Sequence, residues 1–230
     1  MFARRHNGAP AATHGTRAPT SEDPAVSLAL IGMSAGGTAP LRTLLRTLPA
    51  EFPGALIVAR HTSVSGVLPE LIRYWSPHHV VEAESGMRLE SGVIYVCPGQ
   101  HHLVVNPDGT LTISNKEKVA FVRPSIDWMF ESAAAAYGPR AIAIVLSGAN
   151  ADGARGARAI QRAGGLVLAQ ALETCEFPQM TSAALQFGTV TAQLAPEDMA
   201  PWLLERMNRV NQQYANVWAD PFSFPASGAE

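Results

Sequence analysis

Charge is scarce in this sequence: only 16% of its 230 residues are Asp, Glu, Lys or Arg, and the formal net charge is −2. No basic run or stripe interrupts that pattern, so nothing in the charges points to nucleic acid as a partner. Cysteine is scarcer still. Cys97 and Cys175 are too few for a disulfide framework and lack metal-ligand spacing, which fits a reduced, cytoplasmic setting with both thiols free and buried. Long apolar runs are missing as well. No segment approaches the roughly 18 consecutive apolar residues of a membrane span, so no membrane insertion is expected. Residues 1–24, rich in Ala, Gly, Thr and Pro, lack the apolar core of a signal peptide and read as a flexible tail.

What is present is a core. At 47% hydrophobic content, the chain can fold as one globular domain, expected over residues 25–212 with a C-terminal tail over 213–230. Apolar runs of strand length alternate with longer patterned stretches. Val26–Ile31 reads as a buried strand, and Leu41, Leu44, Leu45 and Leu48 then share one helical face. A second strand is read at Gly54–His61, a helix near Val67–Trp75, and a short strand in "HVVEAE". From Gly92 to Ile113, Pro-Gly and Asn-Pro-Asp-Gly separate strands with hairpin chemistry. Ser125 is placed to cap the helix "IDWMFESAAAAYG". The strand "AIAIVLSG", a helix from about Gly153 to Ala163, the strand "LVLAQ", a short helix after Pro178 and a last helix from Pro196 to about Gln212 complete the series. The fold class is α/β: a doubly wound, mainly parallel sheet with an antiparallel edge hairpin and helices on both faces.

In such sheets the chemistry sits in loops at the carboxyl ends of the strands. Three loops follow, after Ile31, Ala59 and Leu146, and they carry Ser34, His61 and Asp152. A serine hydroxyl becomes a nucleophile when an imidazole takes its proton and a carboxylate orients that imidazole. Each residue alone has a plainer reading. Ser34 in "GMSAGG" suits a helix cap or a phosphate loop, His61 a polar strand end, and Asp152 another cap. The Walker pattern fails for want of a Lys after Gly37, and the order Gly-x-Gly-x-x-Gly is absent. "GMSAG" also fits a nucleophile elbow, but the α/β-hydrolase order of Ser, acid and His would crowd acid and base into the stretch before His102. His78-His79 and His101-His102 point opposite ways on extended chain and have no carboxylate cluster beside them. No metal site is expected there.

These motifs, in this order, resemble the catalytic domain of the chemotaxis protein-glutamate methylesterase family, CheB. The likeness runs from about Leu28 to Val190 through "IGMSAGGTAPLRTLLRTLP", "ARH", "VVEAESGMRLESGVIYVCPGQHHLVV", "RPSIDWMFESAA", "VLSGANADGARGARAIQRAGGLVLAQ" and "CEFPQMTSAAL". The resemblance implies a cofactor-free serine hydrolase that removes methyl esters from γ-glutamyl residues of chemoreceptor signalling helices, with glutamine deamidation in some members. Ser34, His61 and Asp152 fall on the family's nucleophile, base and orienting acid, and the family's oxyanion and substrate-loop positions on Ala35, Gly36 and Ala149. Its implied partners are methylated receptor helices or another methylated protein, together with a regulator on a separate chain. Departures from the family pattern are local. Ala35 stands where the family has Thr, Arg60-His61-Thr62 replaces Gln-His-Met, and Ser147-Gly148-Ala149-Asn150-Ala151-Asp152-Gly153 replaces Thr-Gly-Met-Gly-Asn-Asp-Gly. About 25 residues precede the first strand, too few for the receiver domain that many members carry. Two other readings remain at this stage: a silent module of the same fold that docks on receptors or a regulator, and a hydrolase of small esters or amides.

Overall fold

The computed structural model describes residues 27–62 and 65–219. The strands β1 (Leu28–Met33), β2 (Ala55–Arg60), β3 (His79–Glu82) and β4 (Val93–Val96) make one half of a seven-stranded sheet, and β7 (Ala141–Val145), β8 (Leu166–Gln170) and β9 (Ala192–Leu194) make the other. Their order is β3-β4-β2-β1-β7-β8-β9, and every neighbouring pair is parallel. The central strands are unbroken apolar runs because both faces are covered. Along β1, Leu28 and Leu30 pack into one core while Ala29, Ile31 and Met33 pack into the other. The helices α1 (Thr38–Thr47), α2 (Val67–Trp75) and α6 (Pro196–Ala219) supply the second core, and α3 (Ile126–Tyr137), α4 (Ala154–Arg162) and α5 (Gln179–Gln186) the first.

The chain winds outward from β1 in one direction through β2 and in the other through β7. The loops after β1 and β7 therefore leave a gap between them, the switch point where open α/β sheets hold their ligands.

The hairpin takes a different place from the expected sheet edge. β5 (His102–Val105) and β6 (Leu111–Ser114) pair antiparallel around Asn106-Pro107-Asp108-Gly109, but they form a separate two-stranded sheet. Leu103, Val105 and Leu111 pack with Met129, Phe130 and Ala133 of α3, and the Val105 N–H donates to Ser132 Oγ at 3.0 Å. The Pro-Gly step at residues 98–99 separates strands without joining them as a hairpin. The strand before it, β4, runs parallel between β3 and β2 because four buried residues in a row require cover on both faces.

β9 carries no visible signal in the sequence; its three residues become a strand by pairing with the edge of β8. α6 continues past Gln212 to Ala219, while residues 1–24 and 220–230 lie outside the described residues. Cys97 is buried as expected, whereas Cys175 is only half-buried. No described helix is long and apolar enough to cross a membrane.

Candidate active site

Register places the site before any side chain does. Met33 of β1 pairs with Arg60 of β2, and Gly32 pairs with Val145 of β7. The next residues outward carry the ladder on: the His61 N–H donates to Met33 O at 3.2 Å, and the Ser34 N–H to Ser147 O at 3.0 Å. Neighbouring strands lie about 4.8 Å apart, so Ser34 emerges between His61 and the loop after β7. That loop approaches closely. A methyl group built on Gly148 would stand 1.9 Å from Met180 Sδ and 2.9 Å from Ser34 Cβ, so only glycine fits. Gly36 turns the chain from β1 into α1 at φ +74°, a conformation that side chains disfavour.

His61 Nε2 lies 2.8 Å from Asp152 Oδ2, and their side chains keep only 11% and 5% of their exposure. That withdrawal leaves the pair little screened by water. Asp152 is a carboxylate with every acceptor site occupied. Oδ2 also accepts from Ile126 N at 2.7 Å, while Oδ1 accepts from Asp127 N at 3.0 Å and Ser125 Oγ at 3.3 Å. Burial works to raise its pKa. The hydrogen bond from His61, those from the Asp127 and Ile126 N–H groups and the imidazole's charge outweigh burial and hold the carboxyl below its ordinary range. The donors are the open N–H groups at the start of α3, where a helix end favours negative charge.

Asp127 answers this arrangement in the opposite direction. It sits in the first turn of α3, and its Oδ1 accepts from Gly153 N at 2.9 Å and Gly156 N at 2.8 Å, the beginning of α4. Asp152 thus caps α3, the helix that holds Asp127, and Asp127 caps α4, the helix that follows Asp152. Burial is the main reason that the Asp127 carboxyl is pushed up, with the nearby Asp152 charge adding to it. Beneath them, the buried His102 ties its Nδ1 to Ser125 N at 3.1 Å and its Nε2 to Glu117 O at 3.0 Å.

The tautomer of His61 follows from its partners. An ionised carboxylate only accepts, so Nε2 carries the proton and, in the neutral ring, Nδ1 keeps a lone pair. Asn150 Nδ2 lies 3.2 Å from that Nδ1, and Asn150 Oδ1 accepts from Asp152 N at 3.1 Å, which fixes the amide's orientation. Among the described residues Ser34 Oγ has no hydrogen-bond partner, and the N–H groups of Ala35, Gly36 and Ala149 have no acceptor. The Ala35 carbonyl is held by Ser147 Oγ at 2.9 Å. The site therefore offers a free hydroxyl, an imidazole locked in one tautomer and open backbone donors, a set suited to acyl transfer.

The loops that sequence reading singled out do converge here. It missed Asn150 as a partner of His61, Asp127 and Ser125 as supports of Asp152, and Glu176, whose side chain lies against Gly36. Asp127 left a trace, an acid in the first turn of a helix; Asn150 and Glu176 left none. No group of three or more His, Cys, Asp or Glu side chains among the described residues converges as a metal site would need.

Comparison with known proteins places these features in a family. A Leptospira interrogans protein is 35% identical over 173 residues, 74% of this chain and 90% of its own length. The protein-glutamate methylesterase/protein-glutamine glutaminase 3 of Anaeromyxobacter dehalogenans is 37% identical over 201 residues, 86% of this chain and 58% of its own. The crystal structure of the Thermotoga maritima CheB methylesterase catalytic domain superposes with a TM-score of 0.75 at 29% identity, covering 78% of this chain and 97% of that one. The family model for CheB methylesterase matches residues 29–203. With that stretch holding both ends of the switch point and all of the site, the chain belongs to the CheB methylesterase family.

Proposed function

We propose that the chain hydrolyses γ-glutamyl methyl esters on a methylated protein, releasing methanol and leaving a glutamate carboxylate. Family membership supports the reaction class, and the name of the Anaeromyxobacter relative, a protein-glutamate methylesterase/protein-glutamine glutaminase, supports both this activity and glutamine deamidation. The observation that carries the residue roles is His61 held by Asp152 through Nε2, with its Nδ1 lone pair on the side of Asn150 and Ser34 on the neighbouring strand end.

In this reading Ser34 Oγ attacks the ester carbonyl carbon while His61 Nδ1 takes its proton, the Asn150 amide giving up that lone pair. Asp152 keeps the ring oriented and stabilises the imidazolium. The carbonyl oxygen, now an oxyanion, is met by the open N–H groups of Ala149, Ala35 and Gly36. As the C–O bond to methoxide breaks, His61 returns the proton and methanol leaves. Water then attacks the acyl group on Ser34, passing a proton to His61, and Ser34 departs reprotonated. A glutamine amide follows the same course with ammonia as the leaving group.

The test is methanol release from methylated chemoreceptor membranes by the wild-type chain and by Ser34→Ala at equal concentration. Release by the first and not the second supports the reaction and the nucleophile together. A rival reading, a silent docking module, draws on the Asn150 amide occupying the lone pair of the base. It prevails if the folded wild-type protein binds the membranes yet releases nothing.

A further inference from the structure

A groove of about 660 Å³ opens beside the nucleophile turn. Gly36 and Glu176 close its inner end, and Arg42, Arg46 and Trp75 form its outer part. Arg42 and Arg46 stand four residues apart on the exposed side of α1, so their side chains project about one helical turn, roughly 6 Å, from each other. Arg42 lies over the Trp75 ring at 5.9 Å, which holds the guanidinium at the groove wall. Arg60, immediately before His61, reaches Thr38 on the same wall at 3.4 Å. None of these three arginines has a carboxylate within ion-pair distance among the described residues.

In a chain of net charge −2 that carries only 17 Lys and Arg, two arginines lining one groove and a third reaching its wall, all without a carboxylate partner among the described residues, are a concentration of charge. The macrodipole accounts for Arg46 in the last turn of α1. It does not account for Arg42, in the second turn, or for Arg60 at a strand end. The groove is also polarised: Glu176 marks the end next to Ser34, and Arg42 and Arg46 mark the far end.

We propose that this groove receives an acidic stretch of the substrate protein next to the scissile residue, with two carboxylates on Arg42 and Arg46. The proposal rests on the esterase reading and names the substrate feature that the site selects. A methyl ester is neutral and tolerates Glu176, whereas an unmethylated glutamate at the same place meets a like charge. The far end rewards anions. Two carboxylates about 6 Å apart match the arginine spacing, a separation supplied by alternate residues of an extended segment or by residues one helical turn apart. Guanidinium groups suit this task because their planar donors pair with carboxylates side by side.

The experiment uses two synthetic peptides, each with one γ-glutamyl methyl ester, flanked by two aspartates in one and two asparagines in the other. Methanol release is measured for the wild-type chain and for the double variant Arg42→Gln/Arg46→Gln. The expected result is a preference of about tenfold in kcat/KM for the acidic peptide, expressed in KM and shrinking with added salt, as for partly exposed charge pairs acting together. The double variant loses the preference and keeps its rate on the neutral peptide. Equal turnover of both peptides by the wild type, or a preference that survives in the double variant, overturns the groove assignment. Binding of a fluorescent acidic peptide to Ser34→Ala, with and without the arginine changes, reads the groove independently of turnover. If no peptide is hydrolysed but arginine-dependent binding persists, the esterase reading fails and the groove stands; if hydrolysis proceeds without arginine-dependent binding, the reverse holds.

Discussion

The two sides of the site are built differently. On the acid side, Asp152 is buried, accepts from His61, Ile126, Asp127 and Ser125, and is locked to Asp127 by an exchange of helix caps. On the Ser34 side, Ser34 Oγ has no partner among the described residues, Ala35 and Ala149 are exposed, and Glu176, Arg42 and Arg46 border open solvent. The half that carries a fixed charge is preorganised, which in the proposed mechanism avoids reorganisation when the imidazolium forms. The half proposed to meet the substrate keeps its donors and charges open to solvent.

That contrast breaks most visibly at Asp152. Replacing it with Asn leaves a side chain able to donate to His61 Nε2, which inverts the tautomer and places a proton on the nitrogen proposed as the base. Methanol release is expected to fall by about 10³ to 10⁴-fold with circular dichroism unchanged. A drop of only a few fold would mean that the orienting acid lies elsewhere.

On the opposite side, Gly148→Ala pushes a methyl group into Met180 Sδ and Ser34 Cβ. Overpacking of this kind costs about 1–3 kcal/mol. Urea unfolding should show that loss, with turnover falling further because the strain bears on Ser34, the proposed nucleophile.

A smaller change sharpens the comparison where the halves meet. Asn150→Ala removes the amide at His61 Nδ1, which in the proposed mechanism competes with Ser34 for that nitrogen, while Asp152 still fixes the tautomer. One neutral hydrogen bond is worth about 1 kcal/mol, so Ser34 labelling by a fluorophosphonate is expected to speed up by roughly fivefold. Slower labelling would make Asn150 a support of the base instead of a competitor.

The smallest effect belongs to Asp127. Loss of its cap in Asp127→Ala should cost about 1 kcal/mol by urea unfolding, whereas Asn, itself a capping residue, should cost only a few tenths. The pH dependence separates the two acids. Asp152 has a folded pKa below its unfolded one, so its contribution is present above the ordinary carboxylate range and is lost as pH falls through the folded value. Asp127 is raised, so the folded state binds its proton first and stability rises slightly as pH falls through its folded pKa. Asp127→Asn should abolish that rise and keep the acid loss below about pH 4; a variant with the wild-type profile would count against this assignment.

How much of this was legible before folding differs between the halves too. Ser34, His61 and Asp152 could be placed at three strand ends because β1, β2 and β7 are apolar runs that end abruptly in polar or glycine-rich loops. The capping role of Ser125 was also readable, since the N-cap preference is local. Its bond to Asp152 was not, because it joins residues 27 positions apart across two helix starts. The same holds for the hairpin. Asn-Pro-Asp-Gly announces the turn between β5 and β6, but packing against α3 decides that the pair stands off the main sheet. β4 looked like hairpin chain and β9 like no strand at all, since pairing partners and cover on both faces are tertiary facts.

By itself, then, the sequence determined the alternation of strands and helices, the doubly wound sheet and the three loops that hold Ser34, His61 and Asp152, because periodicity, glycine and capping are properties of neighbouring residues. Only the tertiary structure decided which nitrogen of His61 faces Asp152, that Asn150 holds the other, that Asp127 and Asp152 cap each other's helices, and that Arg42 and Arg46 line one groove with Glu176. Those relations depend on parallel register and helix docking, which bring together side chains up to 91 residues apart, and no local pattern encodes a distance of that kind.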